Sequence, residues 1–266
     1  MYLQLAQAAT ETASANVFEQ LWAGMADRAV SGSLNFFEQI YKEIYINLIS
    51  QDRYLDYLKG MGVTVQVSLA AGIIGALLGV IIALMRLSNV KILGVNPLSK
   101  IATWYVGLIR GTPLLLQVVL INYAVFQSIR IDKILVGVIA CSLNSAAYVS
   151  EIIRGGIQSV DKGQIEAGRS LGLTSGKTMW LIVLPQAFKI ALPSICNEFI
   201  VLIKETSVLA YIAVTELTKA GDYIRSRTYS AFTPYLVVGI LYLLMTGILS
   251  KLLGKLERRL REGDNR

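Results

Sequence analysis

The chain has 266 residues, 54% hydrophobic and 16% charged, with a formal net charge of +7 and a mean hydropathy of +0.55. A water-soluble domain usually carries about 25% charged residues, so that class is excluded, and the surplus of cations reads as basic loops beside a membrane rather than as nucleic-acid binding. There is no His, and Cys141 and Cys196 both sit in apolar runs, a pattern that gives neither a metal site nor a disulfide framework. The first residues hold neither the basic segment nor the compact apolar run of a cleaved export signal.

Residues 1–59 read as an N-terminal extension. Residues 1–33 are rich in Ala, Gln, Ser and Thr and are expected to be loosely ordered or partly helical. Residues 34–58 place Phe37, Ile40, Tyr41, Ile44, Leu48, Leu55 and Leu58 near one helical face. That pattern fits an amphipathic helix at a membrane interface, or a packing collar on the membrane domain.

A membrane domain follows over residues 60–257, ending in a basic tail at 258–266. Charge-free runs over Gly60–Met85, Gly111–Ile129, Ile134–Ser150 and Thr228–Ser250 each approach the roughly 20 residues a helix needs to cross about 30 Å of hydrocarbon. A fifth run, about Phe188–Val214, carries Glu198, Lys204 and Glu205 inside it. The fold class is therefore all-α, a polytopic integral membrane protein with five spans near 63–86, 98–127, 133–153, 188–214 and 231–252. Span one carries Ser68, Gly72, Gly75, Gly79 and Ala83 in steps of four and three, a small-residue stripe that admits a close helix neighbour. Static packing is its expected role. Segments after spans one, three and five hold fourteen Lys and Arg residues, against nine on the other side. The positive-inside rule then places the N-terminus outside and the C-terminus in the cytoplasm.

Between spans three and four lies "DKGQIEAGRSLGLTSGKTMWLIVLP", residues 161–185. Asp161 with Gln164 forms a capping-box pattern, Gly172 reads as a helix stop, and Thr174 or Ser175 starts a second helix running to Pro185. The product is a small helix–turn–helix on the cytoplasmic face. Ala167 and Gly168 are expected to keep one side flat for a partner's groove, with Glu166 and Arg169 at its rim. On that reading an Arg at position 168 spoils docking and leaves the isolated fold intact. A loop between spans also needs polar residues and turn glycines, so the residues alone leave both readings open.

Glu166-Ala167-Gly168, then Gly172, then Ile182-Val183-Leu184-Pro185 resembles the "EAA" loop of permease subunits of type I ABC importers. The family's third position is often Ala, where this chain has Gly168. "RGTPLLLQ" (Arg110–Gln117), "NSAAYVSEIIRGGI" (Asn144–Ile157) and "KETSVLAY" (Lys204–Tyr211) narrow the resemblance to the branch for polar amino acids. It covers about residues 57–260. It implies a five-helix transmembrane core with cytoplasmic coupling helices, in which Glu166, Ala167, Gly168, Arg169, Gly172, Leu184 and Pro185 belong to the surface that docks on an ATP-binding subunit dimer. It further implies a second permease copy or a related permease, an extracytoplasmic amino-acid-binding protein, and a location in the cytoplasmic (inner) membrane. ATP and Mg are then used by the partner ATPase. The chain itself carries no cofactor and no catalytic residue, in keeping with the lack of a Gly-x-x-x-x-Gly-Lys-Ser/Thr phosphate loop.

Asn144, Tyr148 and Glu151 share one face of span three, and Ser194, Glu198 and Glu205 one stripe of span four, with Asn197 and Lys204 one step round. Ionisable groups within membrane helices usually face a bundle interior or a watery path. A zwitterionic amino acid needs donors for its carboxylate, a role open to Arg110 and Lys204, and an acceptor for its ammonium, a role open to Glu151 and Glu198. Asn144, Tyr148, Glu205 and Ser207 complete the candidate path. Singly, each of these residues is also explained by helix–helix contacts, and Arg110 by snorkelling to the interface beside the kink expected at Pro113. An ion-coupled carrier or channel acting alone is the alternative function, disfavoured by the lack of an inverted repeat. A membrane-embedded enzyme would need a nucleophile–base pair or metal cluster that this His-free chain does not offer.

Overall fold

The computed structural model describes residues 17–88, 91 and 94–262. Residues 1–16 and 263–266, parts of the expected loose N-terminus and basic tail, lie outside the described residues. Helices account for the architecture, and no strand occurs among the described residues. They are α1 (Val17–Ser31), α2 (Phe36–Ile44), α3 (Arg53–Leu87), α4 (Pro97–Arg110), α5 (Leu114–Leu120), α6 (Lys133–Gln158), α7 (Lys162–Ser170), α8 (Ser175–Thr178), α9 (Leu184–Glu205), α10 (Leu217–Thr228) and α11 (Thr233–Glu262). The chain divides into two compact units, residues 1–61 with 217–241, and residues 62–216 with 242–266.

The first unit is built on an aromatic stack. Trp22 of α1 is fully buried and lies 5.1 Å from the Tyr45 ring, which in turn stacks on Tyr41 at 6.3 Å. Asn35 caps α2 in a reciprocal capping box with Glu38. A wide helical turn (Tyr45–Ile49) and a tight one (Ser50–Asp52) then join α2 to α3. Gln51 and Asp52 both adopt positive φ at this junction, a conformation uncommon for residues with a side chain. Arg53 clasps it by donating to the Ile46 carbonyl and to Gln51 Oε1. The Glu43 carboxylate ties α2 to the end of the unit, accepting from Ser230 Oγ at 2.7 Å and Thr233 Oγ1 at 2.8 Å.

The second unit holds most of the apolar crossing segments. Four helical stretches are long and apolar enough to cross a membrane, Phe36–Leu87, Lys133–Gln158, Ser175–Ile212 and Thr233–Lys255, and a bent pair makes a fifth. That pair, Pro97–Arg110 and Leu114–Val125, is bent by 105° at its break, so the single kinked span expected over 98–127 is a sharply broken one. The small-residue stripe of α3 packs as expected. A Cβ on Gly75 would meet Ser145 Cβ at 2.8 Å, one on Gly79 would meet Val149 Cβ at 2.7 Å, and one on Gly72 would meet Phe199 Cδ2 at 2.7 Å. Backbones this close leave no room for larger residues, which is how small-residue seams hold helices together in lipid. The core beneath combines Val67, Val118, Val136, Cys141, Leu202 and Leu209.

Span four departs from its expected limits. The second helix of the 161–185 segment does not stop at Pro185; α8, a wide turn at Met179–Val183 and α9 form one continuous helical stretch, Ser175–Ile212. Proline lacks an N–H and crowds the carbonyl four residues back. The wide turn just ahead relieves both, because Leu184 N–H bonds five residues back to the Met179 carbonyl.

Candidate functional site

The segment 161–185 folds into the helical hairpin expected of it. Asp161 caps α7, its Oδ1 accepting from Gly163 N at 2.6 Å, one residue earlier than a capping box with Gln164 requires. Gly172 terminates α7 with φ +81°, and Leu173 N reaches back to the Gly168 carbonyl at 3.1 Å, the closure that a left-handed residue permits. Arg169 Nη1 donates to the Leu173 carbonyl at 3.0 Å and so braces the turn. Thr174 caps α8 through Lys177 N.

Two faces of the hairpin are distinct. Glu166, Ala167 and Arg169 are exposed on α7, and the turn carries Leu171 at 82% exposure. Gly168 is buried and turned the other way. A Cβ there would lie 2.7 Å from Ile182 Cδ1 and 3.0 Å from Thr178 Cγ2. The flat outer face expected from Ala167 and Gly168 together is therefore Ala167's alone, and Gly168 is the contact at which the two arms of the hairpin close. A side chain at 168, Arg included, has to displace the tip of Ile182 and press on Thr178. Leu184 also points inward, packing with Ile157, Val160, Val183 and Ala187 and lining an apolar groove of about 240 Å³ beside Ala83, Leu87 and Trp180. Pro185 lies in the first turn of α9 and is exposed.

A second cluster forms where the helix ends of α3, α4 and α6 converge. Glu151 pairs with Arg86 and with Arg154, and Arg110 Nη1 stands 3.8 Å from the same carboxylate. Arg110 also lies over the Tyr148 ring, 5.3 Å from its centroid, a favourable cation–π placement. The expected members Arg110, Tyr148 and Glu151 are thus brought together. Arg86 joins them, and its place directly after the charge-free run Gly60–Met85 is the signal for it in the sequence. The carboxylate expected to accept a substrate ammonium is already engaged by guanidinium groups, so the surplus of this cluster is positive.

Gln117, the last residue of the Arg110–Gln117 motif, organises the break between α4 and α5. Its Nε2 donates to the Ile109 carbonyl at 2.8 Å, the Thr112 carbonyl at 3.1 Å and Thr112 Oγ1 at 2.9 Å. Its Oε1 accepts from Asn144 Nδ2 at 3.0 Å. Backbone groups freed inside a membrane cost several kcal/mol unless re-bonded, and a glutamine four residues after Pro113 can reach both sides of the break. Asn144 is therefore fastened to this broken span, a helix-binding role.

On α9, Glu198 is partly buried and lies within the electrostatic reach of Glu205 and Arg110. Lys204 is exposed, Ser207 is partly buried, and Lys204 acts on the neighbouring Glu205. Arg110 thus stands between the Glu151 cluster and the acidic stripe of α9.

Residues 75–262 match the model of the binding-protein-dependent transport system inner membrane component family. The chain is 37% identical over 209 residues to an arginine transport system permease protein of Bacillus subtilis, covering 78% of this chain and 93% of that one. It is 38% identical over 217 residues to an L-cystine transport system permease protein of the same organism, covering 80% and 90%. Among solved structures it is similar to an amino acid ABC transporter crystallised with histidines, at a TM-score of 0.74 and 40% identity, covering 85% of this chain and 99% of that one. An inward-facing methionine ABC transporter shares the fold, at a TM-score of 0.68 and 16% identity over 80% of this chain and 99% of that one. These likenesses support a transport subunit and not a carrier acting alone. Its helices, its hairpin and these matches make the chain a multi-pass member of the binding-protein-dependent transport system inner membrane component family.

Proposed function

We propose that this chain is the membrane-spanning permease subunit of an ATP-driven importer for a polar amino acid. The observation that carries the coupling is the unbroken helical stretch Ser175–Ile212, whose first turns are one arm of the exposed hairpin. A push on Glu166, Ala167, Arg169 or Leu171 is passed through the Gly168–Ile182 contact into that arm, and so directly into a transmembrane helix. A separate ATPase pair binding ATP and Mg supplies the push, while this chain hydrolyses nothing. A binding protein on the opposite side delivers the amino acid. A second copy or a related permease completes the path.

Within that path the charges sort themselves. Arg110, with Arg86 and Arg154 behind it and a single carboxylate among them, suits the substrate carboxylate. Glu198 and Glu205 suit its ammonium, with Tyr148, Lys204 and Ser207 along the way. The cation asymmetry of the sequence places the N-terminus outside and the hairpin and C-terminus in the cytoplasm. Reconstitution of this chain with its ATPase and binding protein in proteoliposomes tests the reading: labelled amino acid should accumulate only with ATP and binding protein together. Accumulation driven by an ion gradient without the ATPase overturns it. Labelling of Arg130→Cys and Lys177→Cys from the same side of the membrane overturns the orientation.

A further inference from the structure

The helix α2 is built inside out. At about 100° per residue, Phe36, Ile40, Ile44 and Phe37 fall within an arc of about 100°, and they are 69%, 43%, 42% and 79% exposed. Its two carboxylates, Glu38 on the opposite side and Glu43 beside the apolar arc, are instead engaged with protein. Glu38 pairs with Arg28 and accepts from Asn35 N, and Glu43 accepts from Asn47, Ser230 and Thr233. A helix lying on water presents the reverse arrangement, charged groups outward and apolar ones toward the core. Helix α1 also exposes apolar side chains at its start, Val17, Phe18 and Leu21 at 68%, 47% and 52%, although its buried face is the apolar one, Trp22, Ala26 and Ala29.

Between the apolar strip of α2 and the charge-free run Gly60–Met85 lie Asp52, Arg53, Asp56 and Lys59, charges that are costly within hydrocarbon, so the strip is not a continuation of that crossing segment. We propose that α1 and α2 lie in the interface of the bilayer, with Phe36, Phe37, Ile40 and Ile44 immersed at the boundary between headgroups and acyl chains. The occupant of this face is lipid rather than a second copy. Protein interfaces carry about one hydrogen bond per 100–200 Å², and these four side chains offer no polar atom. This element precedes the residues matched by the family model, which begin at residue 75. Moored in lipid, it fixes the aromatic stack of Trp22, Tyr45 and Tyr41 and, through Glu43, the start of α11.

The test is site-directed spin labelling of the full chain in lipid nanodiscs. Phe37→Cys, Ile40→Cys and Ile44→Cys are made singly on a Cys141→Ala/Cys196→Ala background, with Leu77→Cys as the lipid reference and Lys162→Cys as the water reference. All three α2 positions are exposed, so labels there displace no core. Power saturation with oxygen and with a water-soluble nickel chelate should give an oxygen-to-nickel ratio at all three that exceeds Lys162→Cys and lies below that of the mid-span Leu77→Cys. A ratio at the level of Lys162→Cys overturns the proposal, because the strip then faces water. Low accessibility to both reagents overturns it as well, because the strip is then covered by protein.

Discussion

Gly168 and Ile182 touch so closely that a methyl group on the first would lie 2.7 Å from Cδ1 of the second. This contact joins the arms of a hairpin whose second arm continues as a transmembrane helix, and it separates two properties of neighbouring positions. Gly168→Leu has to push apart Ile182 and the buried Thr178. Overpacking of that kind costs about 1–3 kcal/mol, and the thermal midpoint of the isolated permease should fall. Ala167→Arg adds its bulk to the exposed face, so the midpoint should stay while ATPase stimulation by loaded binding protein is lost. Equal midpoints for both variants would contradict the inward orientation of Gly168, and full stimulation with Ala167→Arg would remove Ala167 from the docking face.

Gln117 gives the second prediction. Gln117→Leu leaves the carbonyls of Ile109 and Thr112 without their donor and also deprives Asn144 Nδ2 of its acceptor. Unmade buried hydrogen bonds cost about 1–3 kcal/mol per group, so this variant should be markedly less stable in lipid nanodiscs. Asn144→Leu loses a single bond and should cost less. Because the residues share that bond, the double variant should fall short of the sum by about 0.5–3 kcal/mol. Strict additivity would show that the Asn144–Gln117 contact carries no energy.

The sequence shows the spans well and their interior poorly, for a physical reason. Charge-free runs reveal hydrocarbon crossings directly, and the glycines of α3 reveal a seam because their spacing is periodic. Pro113 marks a weakness in span two, but the 105° bend is bridged by Gln117, whose partners lie five and eight residues back and across on Asn144. Arg86 and Glu151 are 65 residues apart, and no local pattern pairs them. Gly168 is ambiguous from sequence because glycine serves equally to flatten an outer face and to admit a close neighbour. Only the packing shows that the second applies here. Pro185 looked like a stop because a proline usually ends a helix, and the compensating wide turn has no composition of its own.

The helix α10 should show acid sensitivity. Lys219 and Arg225 donate to Asp222, and Tyr235 adds a longer bond. The hydrogen bond from Lys219, then that from Arg225, holds the Asp222 carboxyl below the usual carboxylate range. A depressed carboxyl contributes stability that is complete above its unfolded value, near about 3.9, and that fades as pH falls through the folded value. The residue is about a third exposed on its side chain, so screening limits the effect to under about 1 kcal/mol. Stability of the wild-type chain should therefore drop relative to Asp222→Asn as pH is lowered from 5 toward 3, both in ~0.1 M salt. Parallel curves for the two proteins would show that the cluster contributes nothing to folding.

The charged core of the membrane domain distinguishes positioning from passage. Glu151 is the carboxylate that Arg86, Arg110 and Arg154 share, and Glu151→Gln leaves these guanidinium groups less compensated in a partly buried place. Removing one partner of a buried pair costs about 3–5 kcal/mol, less here because the side chains retain 14–43% exposure. The expected outcome is a less stable permease, recovered in part by Glu151→Gln/Arg154→Gln, which removes a surplus charge. Arg110→Gln and Glu198→Gln should behave otherwise. Arg110 is the most exposed cation of the cluster and keeps a longer, weaker contact, so its loss should leave the thermal midpoint and assembly with the ATPase near wild type. Uptake should nonetheless fall for both variants, because the substrate loses a partner for its carboxylate or its ammonium. Measured side by side, midpoint, assembly and uptake decide the roles. If Arg110→Gln and Glu198→Gln transport at the wild-type rate, the path does not run between them. If both lose assembly along with Glu151→Gln, all three residues serve to hold helices together.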